Sequence, residues 1–270
     1  MTTREHPMPS GHRVFARYAH APNALGYCGP PGSERLQAVA CGGAPDTDVV
    51  AMARQFSGAW PYQEVIARLA GIADPLDESV VRGYWIADEL SDRIDRAEFG
   101  AALLARLASQ AGHYWKHLTA DLLGEAAPTH NFHVFGVYPW SRLLHTGLPQ
   151  PLQVLDSCRI RWGEVVGLDH DRAVVRSARL RWDGTRLSLG PEQDDLADYR
   201  VPEGAFVAGL AVGDHVAVHW DFVCDRLDPD RVGRLRGQTE WQLAQTNQRL
   251  AGEVTPTSPK RTGANVSQLP

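Results

Sequence analysis

The sequence contains few cysteines and no paired cysteine motif. Its four cysteines are widely separated and no CxxC pair occurs: Cys28, Cys41, Cys158 and Cys224. We therefore expect neither the disulfide framework of a small secreted protein nor a structural zinc knuckle. A cysteine with a chemical role in this chain is predicted to act as a single reduced thiol.

The sequence also lacks long apolar runs and an excess of positive charge. The N-terminus, MTTREHPMPSGHR, has no apolar core of the signal-peptide kind, and no later stretch is apolar enough to span a bilayer. The net charge of −5 and the isoelectric point near 6.1 do not suit a protein that follows a phosphate backbone. These absences predict a cytoplasmic protein with no membrane and no nucleic-acid partner.

Nucleotide-binding and serine-hydrolase motifs are absent as well. The chain contains no P-loop, no GxGxxG and no GxSxG pattern. Because these motifs place phosphates or a nucleophilic serine at the start of a helix, their absence gives no support to either chemistry.

The hydrophobic pattern of the first half is helical. Residues 1–45 are rich in Gly, Pro and Ala and are expected to be an irregular N-terminal segment. Residues 46–150 are predicted to be a helical domain, in which the stretch 97–123 repeats apolar residues every three or four positions and draws one stripe.

The second half has the pattern of short strands. Runs rich in Val, Leu, Ile and aromatic residues are separated by turn residues, and Asp183-Gly184 is a strong hairpin signal. A helix is predicted from Pro229 to about Leu250, and residues 251–270 are expected to be a disordered tail. The predicted fold class is α+β, with a small OB-like β-barrel and a C-terminal helix over residues 151–250.

Two residues of the β-rich half can together ligate a metal. Cys158 is predicted to open the first strand, and His219 lies in the late strand of the segment VGDHVAVHWDF. A compact barrel can bring these two positions together, and a thiolate with an imidazole suits a borderline or soft transition metal. From the residues alone, a buried inert cysteine and a hydrogen-bonded core histidine are the commoner explanation of such a pair.

The order of motifs in this half resembles a known family. The segment from Cys158 to Gly163 (CRIRWG) is followed by a valine-rich strand, by an Asp-containing turn and later by VGDHVAVHWDF and a C-terminal helix. In this order, residues 156–246 resemble the HypC/HupF family of NiFe-hydrogenase maturation chaperones. The resemblance covers about a third of the chain, and it departs from the family in that Cys158 is internal rather than N-terminal.

The resemblance implies a function and a site. It implies an OB-like barrel that carries iron with cyanide and carbon monoxide ligands, with Cys158 and His219 as the ligand pair. The implied partners are a HypD-like scaffold protein and the NiFe-hydrogenase large subunit, and the implied role is that of a chaperone or carrier rather than an enzyme.

Other candidate residues lie in the first 150 positions. His113 and His117 are four apart on the long predicted helix, which is metal-ligand spacing but also common on a solvated face. His130 and His133 lie in a segment dense in aromatics, which either lines a pocket or packs between the two halves. Cys28, among Gly and Pro residues, is either a second thiol near the site or an ordinary turn cysteine.

These candidates leave two alternative functions open. One is a metal-dependent enzyme that uses His113, His117, His130 and His133 in the helical half. The other is a metal-free interaction module that keeps the barrel as a docking surface for a partner protein.

Overall fold

The computed structural model describes residues 8–108 and 120–254. Within these ranges the chain is mixed α+β, with most helices before the strands and one long helix after them. The helices are α1 (Ser10–Ala24), α2 (Ser33–Ala40), α3 (Val49–Ala53), α4 (Trp60–Ala70), α5 (Glu78–Ile86), α6 (Glu89–Arg93), α7 (Arg96–Ala108), α8 (His130–Phe132), α9 (Pro149–Cys158) and α10 (Pro229–Val254). A π-helical turn, His133–Val137, directly follows α8, and 3-10 turns span Ala120–Glu125 and Pro139–Thr146.

Five strands form one sheet. The strands are β1 (Arg161–Asp169), β2 (Arg172–Trp182), β3 (Leu187–Asp198), β6 (His215–His219) and β7 (Phe222–Leu227), and a separate two-residue ladder joins β4 (Arg200–Val201) to β5 (Gly204–Ala205). The hydrogen-bonded order is β1–β2–β3–β7–β6, and β1 also pairs with β6. The pairs are antiparallel except β3 with β7, which meet in parallel through Asp198 and Phe222. The five-stranded sheet and the C-terminal helix confirm the coarse fold prediction.

The N-terminal segment that was expected to be irregular contains two helices, so that expectation was wrong. In α1, Val14, Phe15, Tyr18 and Ala19 are buried on one face, with the spacing that an amphipathic helix requires. Pro22 lies in the last turn of α1, where the helix ends without serious disruption. The Gly and Pro residues of this segment lie mostly in the connections on either side of α2.

A residue in a left-handed conformation, Ala87 with φ 59°, separates α5 from α6. Of the helix predicted over residues 97–123, the described part before residue 109 is α7, and residues 120–123 lie in a 3-10 turn. His113 and His117 lie outside the described residues.

Side chains from both halves of the chain share one hydrophobic core. Its buried members include Phe15 and Tyr84 from the helices, and Trp162, Ala217 and Phe222 from the strands. A buried ion pair between Arg82 of α5 and Asp225 of β7 links the same two layers. The predicted boundary near residue 150 stays a prediction, and the packing across it is continuous.

None of the helices in the described ranges combines the length with the apolar character that crossing a bilayer would require. The expected cytoplasmic location and the expected lack of a nucleic-acid partner stay predictions.

Candidate metal centre

Cys158 and His219, far apart in the sequence, lie together in the structure. His130 completes the group: the ligand atoms of His130, Cys158 and His219 all lie within 4.8 Å of one another, and the three residues are buried. Donor atoms bound to one cation at about 2.0–2.3 Å have comparable separations, so the group is within reach of a metal after small side-chain movements.

The end of α9 supplies the cysteine. Cys158 is the last residue of this helix rather than the first residue of a strand, so its predicted placement was wrong. Arg159 turns the backbone into an extended conformation, and β1 begins two residues later, at Arg161. The alternating pattern that predicted the strand lies after Cys158. It gave no indication that the residues from Pro149 to Cys158 form a helix.

A tight turn between β6 and β7 supplies His219. Because His219 pairs with Phe222, the turn consists only of Trp220 and Asp221, both with positive φ, 51° and 57°. Such two-residue turns favour Gly and Asn, and the left-handed conformation costs other residues about 1–2 kcal/mol each. The backbone N–H of Trp220 donates to the Ser157 carbonyl at 2.9 Å, which ties the turn to the end of α9 and brings His219 beside Cys158.

An ionic cluster also holds both segments. Arg179 of β2 contacts Asp156, two residues before Cys158, at 3.2 Å, and Asp221, two residues after His219, at 3.0 Å. Arg161 also donates to Asp221 at 3.0 Å, and Arg159 donates to Asp156 at 3.0 Å. One guanidinium therefore bridges the two segments that carry the ligands.

A short irregular helix supplies His130. His130 is the first residue of α8, the π-helical turn that follows begins at His133, and Tyr138 comes directly after that turn. π-Helical turns are rare and often occur at functional sites. This segment was predicted either to line a pocket or to pack between the halves, and its buried residues do both.

Hydrogen bonds orient the two imidazoles. The Nδ1 atom of His219 is 2.7 Å from the Tyr18 carbonyl, to which it can only donate. This bond leaves a lone pair on Nε2, which is buried and has no partner in hydrogen-bonding geometry among the described residues. A ligating histidine in a metal site commonly donates its other ring N–H to a carbonyl in this way.

His130 has two possible tautomers. The Tyr84 hydroxyl lies 2.6 Å from the Gly58 carbonyl and 2.9 Å from Nδ1 of His130, while Nε2 of His130 lies 2.9 Å from the Cys158 carbonyl. If Tyr84 donates to Gly58, Nδ1–H must donate to Tyr84, and the lone pair of Nε2 then faces Cys158. A cation beside Nε2 would turn this repulsion between acceptors into attraction. In the other tautomer, Tyr84 donates to Nδ1 of His130 and Nε2–H donates to the Cys158 carbonyl. The Gly58 carbonyl then receives no hydrogen bond from Tyr84.

Burial keeps these groups uncharged. It lowers the pKa of His219 to about 4, against smaller opposing effects of the Tyr18 and Cys158 carbonyls. It lowers the pKa of His130 well below its usual value, with a further contribution from the neighbouring His219 and His133. It raises the pKa of the Cys158 thiol to about 12, which the nearby Trp220 indole opposes. A metal that binds here would therefore meet neutral imidazoles and would displace the thiol proton.

The three residues line a cavity of about 770 Å³. His133 and Cys28 line the same cavity. His133 accepts or donates a hydrogen bond at Nδ1 with the Tyr62 hydroxyl at 3.0 Å, and burial lowers its pKa to about 3. Burial raises the pKa of Cys28 to about 11. The structure thus gathers five sequence candidates around one cavity, and three of them lie within shared reach of a metal.

Gly58 permits the close packing of this wall. A Cβ atom at this position would lie 2.6 Å from Nε2 of His133, closer than any side chain tolerates. Its carbonyl also accepts the Tyr84 hydroxyl hydrogen bond described above. Sequence reasoning did not single out Gly58 or Tyr84, because their roles depend on contacts between distant helices.

No curated protein and no solved structure matches the sequence significantly. One family model does match, and it covers residues 7–253, nearly the whole chain. The match includes every residue of the candidate metal centre. The chain belongs to the family described as Family of unknown function (DUF6390).

Proposed function

We propose that this protein binds one transition-metal cation through His130, Cys158 and His219 and acts as an accessory protein in NiFe-hydrogenase maturation. The observation that carries the metal site is the convergence of three buried donors within 4.8 Å. One thiolate and two imidazoles favour Zn, Fe, Co or Cu over Mg or Ca, which prefer oxygen ligands.

The hydrogenase role rests on the resemblance of residues 156–246 to the HypC/HupF family. The two residues that this resemblance implies as ligands, Cys158 and His219, belong to the same donor cluster. In this proposal the five strands form the OB-like barrel of that family, and the cargo is iron with cyanide and carbon monoxide ligands. A HypD-like scaffold and the hydrogenase large subunit are the proposed partners.

This chain's own residues would perform the binding and orientation. His219 donates to the Tyr18 carbonyl, which leaves its Nε2 lone pair for the site. His130 would offer Nε2 in the tautomer whose Nδ1–H donates to the Tyr84 hydroxyl. Cys158 would lose its proton on binding, so metal affinity is expected to rise with pH. The apolar surroundings would limit access of water to the cargo.

A metal-dependent enzyme is the second candidate. It is favoured by the cavity of about 770 Å³ next to only three protein donors, since catalytic sites keep a coordination position open for water or substrate. His133, which lines this cavity, would then be placed near the reacting molecule. The two candidates differ in catalytic turnover: an enzyme converts its substrate repeatedly, whereas a carrier only binds and delivers its cargo.

Metal analysis of the purified protein tests the site. After incubation with Fe(II), Co(II) or Zn(II) and removal of excess metal, we expect one equivalent to remain in the wild type. Cys158→Ala and His219→Ala should each lower affinity at least about 100-fold by removing a direct ligand. Cys224→Ala is the matched control, because Cys224 is also buried but does not line the cavity. Equal metal retention in Cys158→Ala and the wild type would contradict the site.

A second experiment tests the hydrogenase role. Protein co-expressed with the maturation machinery should show infrared bands of iron-bound cyanide and carbon monoxide, and Cys158→Ala should lose them. Stoichiometric metal without these bands and without binding to a hydrogenase subunit would reject the hydrogenase role and leave the enzyme. A stable complex with such a subunit in protein that binds no metal would instead identify an interaction module.

A further inference from the structure

The cavity beside the metal centre has walls without formal charge. Among the described residues that line it, none is Asp, Glu, Lys or Arg. Its titratable members are the cysteines and histidines discussed above and tyrosines. A charged molecule would lose its hydration here and gain no counter-charge from the protein, which costs several kcal/mol.

Aromatic rings shape this cavity. Tyr27, which is 47% exposed, stacks on Trp220 with ring centroids 4.1 Å apart and so marks the side that faces solvent. Trp85, only 4% exposed, lies against His130 with ring centroids 4.6 Å apart. Trp140 also lines the cavity. Flat aromatic faces favour planar or apolar ligands, and the volume lies within the range of small-molecule sites.

The same walls contain an unused hydrogen-bond donor. The indole N–H group of Trp85 is buried and has no partner in hydrogen-bonding geometry among the described residues. The indole of Trp220 instead lies against the Cys158 thiol. Buried polar groups are normally paired, so an exception needs an explanation. A ligand that carries an acceptor atom would supply the missing partner of Trp85.

We propose that this cavity binds an uncharged, largely planar small molecule that carries a hydrogen-bond acceptor. The inference shares the cavity of the proposed metal centre, but it depends on the walls and not on the cation. It is therefore tested on metal-free protein, so that the ligand proposal and the metal proposal fail separately.

The experiment compares three molecules of similar size: benzamide, which is neutral, benzoate, which is negative, and benzylamine, which is positive at pH 7. Binding to the chelator-treated full chain is measured by calorimetry and by tryptophan fluorescence. We expect saturable binding of benzamide at least about tenfold tighter than that of either charged molecule, a factor that corresponds to about 1.4 kcal/mol. Equal or tighter binding of a charged molecule, or no saturable binding of benzamide, would overturn the proposal.

Variants locate the binding to this cavity. Tyr27→Ala removes an exposed ring of the wall and should weaken benzamide binding about tenfold, in line with the contribution of an aromatic contact. Trp85→Phe keeps a ring but removes the N–H group. It should therefore reduce the ratio of benzamide affinity to the affinity for toluene, a molecule without a hydrogen-bond acceptor. Trp182→Phe is the control, because Trp182 packs on His145 away from the cavity. Unchanged benzamide affinity in Tyr27→Ala would place the ligand elsewhere and refute the proposal.

Discussion

Two polar regions adjoin the segments that carry Cys158 and His219, one built from charged groups and one from uncharged groups. In the charged region, Arg159, Arg161 and Arg179 meet Asp156 and Asp221 in a network of charge-assisted hydrogen bonds. In the uncharged region, the imidazoles and the thiol are neutral, and Nε2 of His219 has no partner in hydrogen-bonding geometry. The same short segments therefore contribute to one region of charged groups that bind one another and to one region that contains an unpaired nitrogen atom.

This difference indicates how the fold keeps unpaired groups in place. Asp221 is held by two arginines, so the strained turn that contains Trp220 is fixed from the charged region. The imidazoles are oriented in addition by their bonds to the Tyr18 carbonyl and the Tyr84 hydroxyl. Strain and unsatisfied groups of this kind commonly occur at functional sites, and the rest of the structure stabilises them.

Acidification should have the largest effect on stability, because it favours protonation of the histidines that are buried in the uncharged region. Folded His130, His133 and His219 have lowered pKa values, whereas their unfolded values lie near 6.5. Between pH 6.5 and the folded values the unfolded chain binds more protons, so stability falls as the pH falls. From pH 7 to pH 5.5 we expect a loss of about 4 kcal/mol in the free energy of unfolding of metal-free protein, about 1.4 kcal/mol per histidine.

Urea unfolding at several pH values measures this loss. His133→Gln should reduce the slope of stability against pH by about a third, and His145→Gln, at an exposed histidine, is the control variant. An equal slope in the wild type and in His133→Gln would show that the buried histidines do not control the acid sensitivity.

Breaking the charged region should have the next largest effect. Arg159→Met removes one of the two guanidinium groups that contact Asp156 and leaves Arg179 as the other, which should cost about 2 kcal/mol for a hydrogen bond between charged groups. Arg176→Met is the matched control, since Arg176 pairs with Asp194 on the exposed surface and solvent screens the pair. Thermal or urea unfolding should show a clear loss for the first variant and little change for the second. Similar losses in both would remove the distinction between the two networks.

The smallest effect is expected from the group that selects the His130 tautomer. Tyr84→Phe removes the hydroxyl that contacts both Gly58 and His130, and it should weaken metal affinity about tenfold without removing a ligand. Metal competition against a chelator of known affinity measures the change. Tyr199→Phe is a suitable control, because its hydroxyl contacts the His170 carbonyl away from the site. No difference between Tyr84→Phe and the wild type would exclude a role in orienting His130.

The sequence allowed the coarse architecture to be predicted but not the composition of the site. The change from helical to strand periodicity near residue 150 is a local property, and so is the turn signal at Asp183-Gly184. The approach of Cys158 to His219 was predicted through a family resemblance and a compact barrel. His130 was assigned to a competing site in the helical half, because sequence spacing gives no information on contacts between distant segments.

The amino-acid sequence by itself determined that this chain has helices followed by strands, with thiols and imidazoles enough for a metal site, because periodicity and residue chemistry are carried locally. Only the tertiary structure decided which of them meet. A backbone hydrogen bond from Trp220 to Ser157 and an arginine that bridges Asp156 and Asp221 bring the end of α9 to the β6–β7 turn. Burial in that shared core then set the charge state of each group, since the loss of hydration depends on the surroundings and not on the residue type alone.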